Sequence, residues 1–137
     1  DDPAVGLHDM LGRTVYAITG DVGASGSLDE AEADLAGAMA HLGWQVEKDA
    51  PALAGARSVL ARMHELGWGP GEETLRAWAE AADRAAEGDL AAIGRTTGRE
   101  EAAETALVGT VLGDARLAAL RRIAQESRSA RLYRAGS

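Results

Sequence analysis

The sequence predicts an all-α fold, a compact bundle of about six helices with no sheet. Three observations lead there. Hydrophobic residues make up 46% of the chain but aromatic residues only 4%, with no phenylalanine; alanine-rich stretches favour closely packed helices, whereas a sheet needs more β-branched and aromatic side chains. Apolar residues recur at helical spacing along most of the chain. Two segments also carry the same helix stop: Met39-Ala40-His41-Leu42-Gly43-Trp44 and Met63-His64-Glu65-Leu66-Gly67-Trp68, 24 residues apart. In each, glycine stands where the chain must take positive φ at C′, and tryptophan follows at C″. Two independent copies of a good stop explain the match better than a duplication of the whole element.

The elements follow in order. Asp1-Asp2-Pro3 suits a helix entry or the end of a linker. Leu7, Met10, Leu11, Val15 and Ile18 make the first stripe, supported by Asp9 four residues before Arg13, and Gly20 ends it. Gly20–Ser27 is a loop without the flanking strand or the lysine of a phosphate cradle. Ser27 and Glu30 form a capping box for the second helix, which runs to Leu42 with Leu28, Ala31, Leu35, Ala38, Met39 and Leu42 inward. Its acidic start suits the positive end of the helix dipole better than a metal site. Asp49 caps the third helix, with Pro51 in its first turn. Leu53, Ala56, Val59, Leu60, Met63 and Leu66 form its inner face.

Gly67 stops that helix, Trp68 is expected to pack back on Met63, and Pro70 keeps the chain from running on. A fourth helix starts near Gly71 and presents Leu75, Trp78, Ala82 and Ala86 inward, with Arg76, Glu80, Asp83, Arg84 and Glu87 in water and Glu80 paired to Arg84. Gly88 weakens it, yet the pattern continues to Ile93. After a loop at Gly94–Gly98, Thr97 and Glu100 form a second capping box. The fifth helix, Arg99–Leu112, is apolar nearly all round near its end and is expected to be the central buried helix, with Glu104 half-buried against an arginine of the last helix. The sixth, Asp114–Arg131, buries Leu117, Leu120, Ile123 and Ala124.

Composition also bounds function. The chain has no cysteine, so it has no disulfide, thiolate nucleophile or thiolate metal site. No apolar run approaches ~18 residues and no signal-like segment opens the chain; no membrane partner is expected, and a reducing cytoplasm is the expected compartment. The net charge of −8 repels phosphate as a whole. It is uneven, since six arginines between Arg116 and Arg134 face Glu126 alone; intramolecular pairing and dipole complementarity account for that tail better than nucleic acid does. His8, His41 and His64 show no metal-ligand spacing, and no serine sits in a nucleophile elbow. The expectation is therefore no enzyme, no metal and no cofactor.

Four segments occur in sequence: DDPAVGLHDMLGR, AHLGWQVEKDAPAL, LGWGPGEETLRAWAEAADRAA and ETALVGTVLGDARLAALRRIAQESRSAR. VGTVLGDARLAALRRIAQ and RAWAEAADR are the most specific. Together they resemble, over nearly the whole chain, the C-terminal effector-binding region of actinobacterial MerR-family transcriptional regulators. The resemblance implies one domain over residues 1–137 that senses a ligand and couples it to transcription. Such regulators carry an N-terminal winged helix-turn-helix and a long dimerising helix. Both are missing from this sequence, so DNA is expected as a partner only through them.

Trp44, Trp68 and Trp78, with Met39, Met63 and Tyr16, are the residues able to line an apolar pocket, and His64 or Glu104 would anchor a polar group there. Ordinary core packing is the competing account of the same side chains. The reading is an effector domain for a small, largely apolar organic molecule or drug. The alternative is a ligand-free interaction or homodimerisation module that uses the Ala/Gly-rich fifth helix and the arginine tail.

Overall fold

A computed structural model describes residues 25–136. The first predicted helix, Leu7–Ile18, lies outside the described residues, as does Tyr16. The all-α class holds: the described residues form α1 (Ser25–Leu42), α2 (Pro51–Glu65), α3 (Glu72–Gly94) and α4 (Arg99–Ala135), with no strand among them. The chain divides into two units, one ending at Ala86 and one continuing from Glu87, and α3 passes from the first into the second.

The first unit is built on an antiparallel α1–α2 hairpin. Ala31 and Ala61 are fully buried and Leu60 nearly so, with Leu28, Leu35, Met63 and Leu75 packed around them. Alanine at the contact lets two backbones approach closely, and the leucines seal the edges. The inner face predicted for α1 is the observed one. On α2 the face is rotated slightly: Ala61 is buried, while Val59 and Leu66 are exposed. On α3, Leu75 and Ala79 turn inward at i,i+4, whereas Trp78 is 44% exposed and Ala82 is exposed. No large side chain among the described residues is fully buried.

Both predicted helix stops form. Gly43 and Gly67 take φ of 66° and 79°. Trp44 N–H donates to Met39 C=O at 3.1 Å, Trp68 N–H to Met63 C=O at 2.7 Å, and Gly67 N–H to His64 C=O at 3.0 Å. The last two bonds are the 6→1 and 5→2 pair of a Schellman ending.

The starts differ from expectation. The first described helix begins at Ser25, so Ser27 lies in its first turn, buried, and is not the N-cap. Ala50 rather than Asp49 occupies the N-cap of α2, with no side-chain cap bond. Pro51, with φ already near helical values and no N–H to satisfy, starts the helix without one.

The largest correction concerns the number of helices. The predicted fifth and sixth helices are one, α4, of 37 residues. Gly113 does not stop it: a glycine inside a helix costs only ~0.5–1 kcal/mol, and the alanines, leucines and arginines around it are strong helix formers. Nor is this segment a buried centre, since no residue of α4 is buried. A run that is apolar all round permits burial but needs neighbours on every side. Within its unit α4 lines a cleft with the end of α3, and its half-buried residues are confined to its first half, from Ala102 to Ala115.

Candidate functional site

The two glycine–tryptophan corners are positioned by long-range polar contacts. At the end of α1, His41 Nε2 lies 2.9 Å from Glu80 Oε1 of α3. One turn on, Trp44 Nε1–H donates to Asp83 Oδ1 at 2.8 Å. Glu80 and Asp83, exposed as expected, also hold the α1 corner against α3. At the end of α2, the His64 ring lies between two carboxylates of α1: Nδ1 is 2.6 Å from Glu30 Oε2 and Nε2 is 2.6 Å from Asp34 Oδ2. Glu30 and Asp34 are four residues apart and therefore share one helix face. Arg57 of α2 also pairs with Glu32 of α1.

Both His64 nitrogens face carboxylate oxygens. The two carboxylates clamp the ring between them. The carboxylates approach opposite edges of the ring, and no group of three or more metal-binding side chains converges among the described residues.

Of the residues expected to line the tryptophan pocket, Tyr16 lies outside the described residues and Trp78 is 44% exposed. Trp68 is 77% exposed and does not bury itself against Met63. Met63 packs instead on the alanine–leucine core. Met39 and Trp44 are half-buried. His64, proposed from sequence as a ligand anchor, is engaged by Glu30 and Asp34.

Glu104 lies in the second unit, exposed rather than half-buried, and lines a cleft of about 570 Å³ between the end of α3 and the first half of α4. Ala92, Ile93, Val108 and Gly109 give it apolar walls; Asp89, Glu104, Thr105, Thr110 and Arg116 give it a polar rim. Asp89 and Arg116 pair across it at 3.0 Å. Thr110 Oγ1 donates to Ala106 C=O, so its hydroxyl is satisfied within the helix.

Just outside the cleft, the start of α4 is fastened by a capping arrangement one residue along from the predicted one. Gly98 is the N-cap. Glu101, not Glu100, reaches back, and its Oε2 accepts from Thr97 Oγ1–H at 2.8 Å and Thr97 N–H at 3.2 Å. These two bonds favour the carboxylate and hold the exposed Glu101 side chain below its ordinary value, the hydroxyl bond contributing most.

Sequence reasoning gave the cleft one residue, Glu104. Ile93 and Val108 carry no signal that separates a cleft wall from a core contact, and Asp89 and Arg116 are 27 residues apart. No described helix is long and apolar enough to cross a membrane. Comparison of the chain with protein-family models, with characterised proteins and with solved structures finds no match.

Proposed function

We propose that the chain is a ligand-sensing domain of MerR type that takes a small, largely apolar organic molecule between α3 and α4. The observation that carries this reading is the α3–α4 cleft. Its volume falls within the ~300–1,000 Å³ typical of small-molecule sites. Ile93 and Val108 offer apolar contact, while Glu104 and the Asp89–Arg116 pair offer a few directional polar groups. The sequence resemblance in Arg76–Arg84 and Val108–Gln125 supports the regulatory role, and the second segment supplies one wall of the cleft. The cleft replaces the tryptophan corner as the ligand site, because Met63 and His64 are already engaged within the fold.

The test is an amide NMR titration with a panel of hydrophobic drugs and natural products. Binding in the cleft shifts Ile93, Glu104 and Val108, and Ile93→Trp, which fills the cleft, abolishes the shifts while the helical spectrum stays intact. Shifts centred on Trp68 and Trp78 would move the site to the corner. A panel that shifts neither region would remove the ligand-sensing reading.

A further inference from the structure

We propose that the corner at the end of α2, Leu66–Trp68, docks a helix of a partner protein that presents a basic residue and, three positions later, a carboxylate. The first observation is the other corner. Both helix ends share one backbone form: Gly43 and Gly67 take positive φ, and the tryptophan N–H returns to a methionine carbonyl, Trp44 to Met39 and Trp68 to Met63. Each tryptophan therefore leaves its helix end from an equivalent position. At the first corner α3 is the occupant. Its Asp83 accepts from the Trp44 indole N–H and its Glu80 meets His41, and Leu42 and Trp44 are half-buried. At the second corner Leu66 is 61% and Trp68 77% exposed, and the Trp68 indole has no hydrogen-bond partner among the described residues. The first corner thus shows what such a surface accepts, a helix face whose polar side chains are spaced as His41 and Trp44 are.

The second observation is charge. Where the first corner has His41, the second has Glu65. Glu65 pairs with Arg62 at 3.1 Å, and Glu73, in the first turn of α3, is exposed with no ionic partner among the described residues. A helix like α3 would set its own Glu80 against Glu65, and like charges at a contact are unfavourable. The complementary occupant is basic at that position and keeps the carboxylate that accepts from the indole.

Trp68 suits this role, being a large side chain on a fixed backbone that loses little freedom on docking. A surface of anionic lipid is the poorer occupant, because the chain on either side of Trp68 carries Glu65, Glu72 and Glu73. The inference does not rest on the α3–α4 cleft holding a ligand.

The probe is a synthetic peptide of the α3 sequence, residues 72–94, carrying Glu80→Lys and held helical by a hydrocarbon staple placed away from positions 80 and 83. It is titrated into the full isotope-labelled chain while the tryptophan indole N–H signals are followed by NMR. The Trp68 signal should move and the Trp44 signal should stay. The peptide with Glu80 retained should bind about tenfold or more weakly, as should one that adds Asp83→Ala. In a chain carrying Glu65→Lys, the preference between Glu80 and Glu80→Lys should reverse. Trp68→Phe keeps an aromatic ring without the N–H, and should lose the discrimination at position 83.

The peptide comparison uses the wild-type chain alone, so it stands whether or not the chain variants fold. A Trp68 signal unmoved at about 1 mM peptide, equal binding of the Glu80 and Glu80→Lys peptides, or movement of the Trp44 signal instead would each overturn the proposal. So would a Trp68 signal that moves with the concentration of the chain alone, which would put a second copy on the corner. Movement with phosphatidylglycerol vesicles and none with peptide would overturn it in favour of a lipid surface.

Discussion

The imidazole of His64 occupies the space that a Cβ at Gly69 would need. The ring is held at Nδ1 by Glu30 and at Nε2 by Asp34, so it cannot swing away without giving up a contact. Gly69→Ala is therefore expected to destabilise the first unit by about 1–2 kcal/mol. Gly55→Ala, in open space within α2, is expected to stabilise by ~0.5–1 kcal/mol. Urea midpoints for the two variants check this; equal midpoints would mean that the ring is not held against Gly69.

His64→Gln removes the clamp from the other side. The His64 side chain is 13% exposed and Asp34 is 20% exposed, whereas Glu30 is 60% exposed, so the Asp34 contact carries most of the effect. The expected loss is about 1–3 kcal/mol. His41→Gln at the more exposed Glu80 contact should cost less than about 1 kcal/mol. A larger loss at His41 than at His64 in the same denaturation assay would reverse this ranking.

The helix stops make a matched pair. Gly43→Val and Gly67→Val each place a β-branched residue at positive φ, at an expected cost of about 1 kcal/mol or more. No neighbouring atom lies near either glycine, so the cost is conformational and should be similar at both. Thermal midpoints of the two variants provide the measurement, and an unchanged midpoint at either position would contradict the observed φ.

Glu101 gives a pH prediction. Its carboxyl is held below the ordinary range by Thr97, so the bonds to Thr97 support the start of α4 above the pH at which a free glutamate ionises. That support is lost as pH falls through the depressed value of the folded state. Thr97→Val removes the larger cause, and the Glu101 titration midpoint, followed by side-chain carboxyl NMR, should move upward. A midpoint that does not move would show that the hydroxyl has no part in it.

What could be read in advance was local. The two stops at Gly43 and Gly67 were legible because a Schellman ending is set by a few adjacent residues. So was the inner face of α1, whose apolar stripe is one-sided. The His64–Asp34 and Trp44–Asp83 contacts span 30 and 39 residues; no spacing rule links groups so far apart. Trp78 was misplaced because a large aromatic at helical spacing scores as inward, yet at the contact only the small Ala79 lets α3 come close. The boundary expected between Leu112 and Asp114 does not form, because one glycine does not outweigh the helix formers on both sides. Glu104 was found on its chemistry, but its surroundings were not, because whether an apolar run is covered depends on elements elsewhere in the chain.

The unbroken course of α4 through Gly113 has a mechanical meaning. From Arg116, where Asp89 ties the helix to α3, about 20 residues extend to its end, or ~30 Å at 1.5 Å per residue. A helix of that length acts as a lever. If filling the α3–α4 cleft tilts α4 by as little as ~5° about the Asp89–Arg116 tie, the far end, with Arg131 and Arg134, sweeps through ~2–3 Å. Two separate helices hinged at Gly113 would absorb such a tilt at the hinge, whereas one continuous helix delivers it, magnified, to its tip.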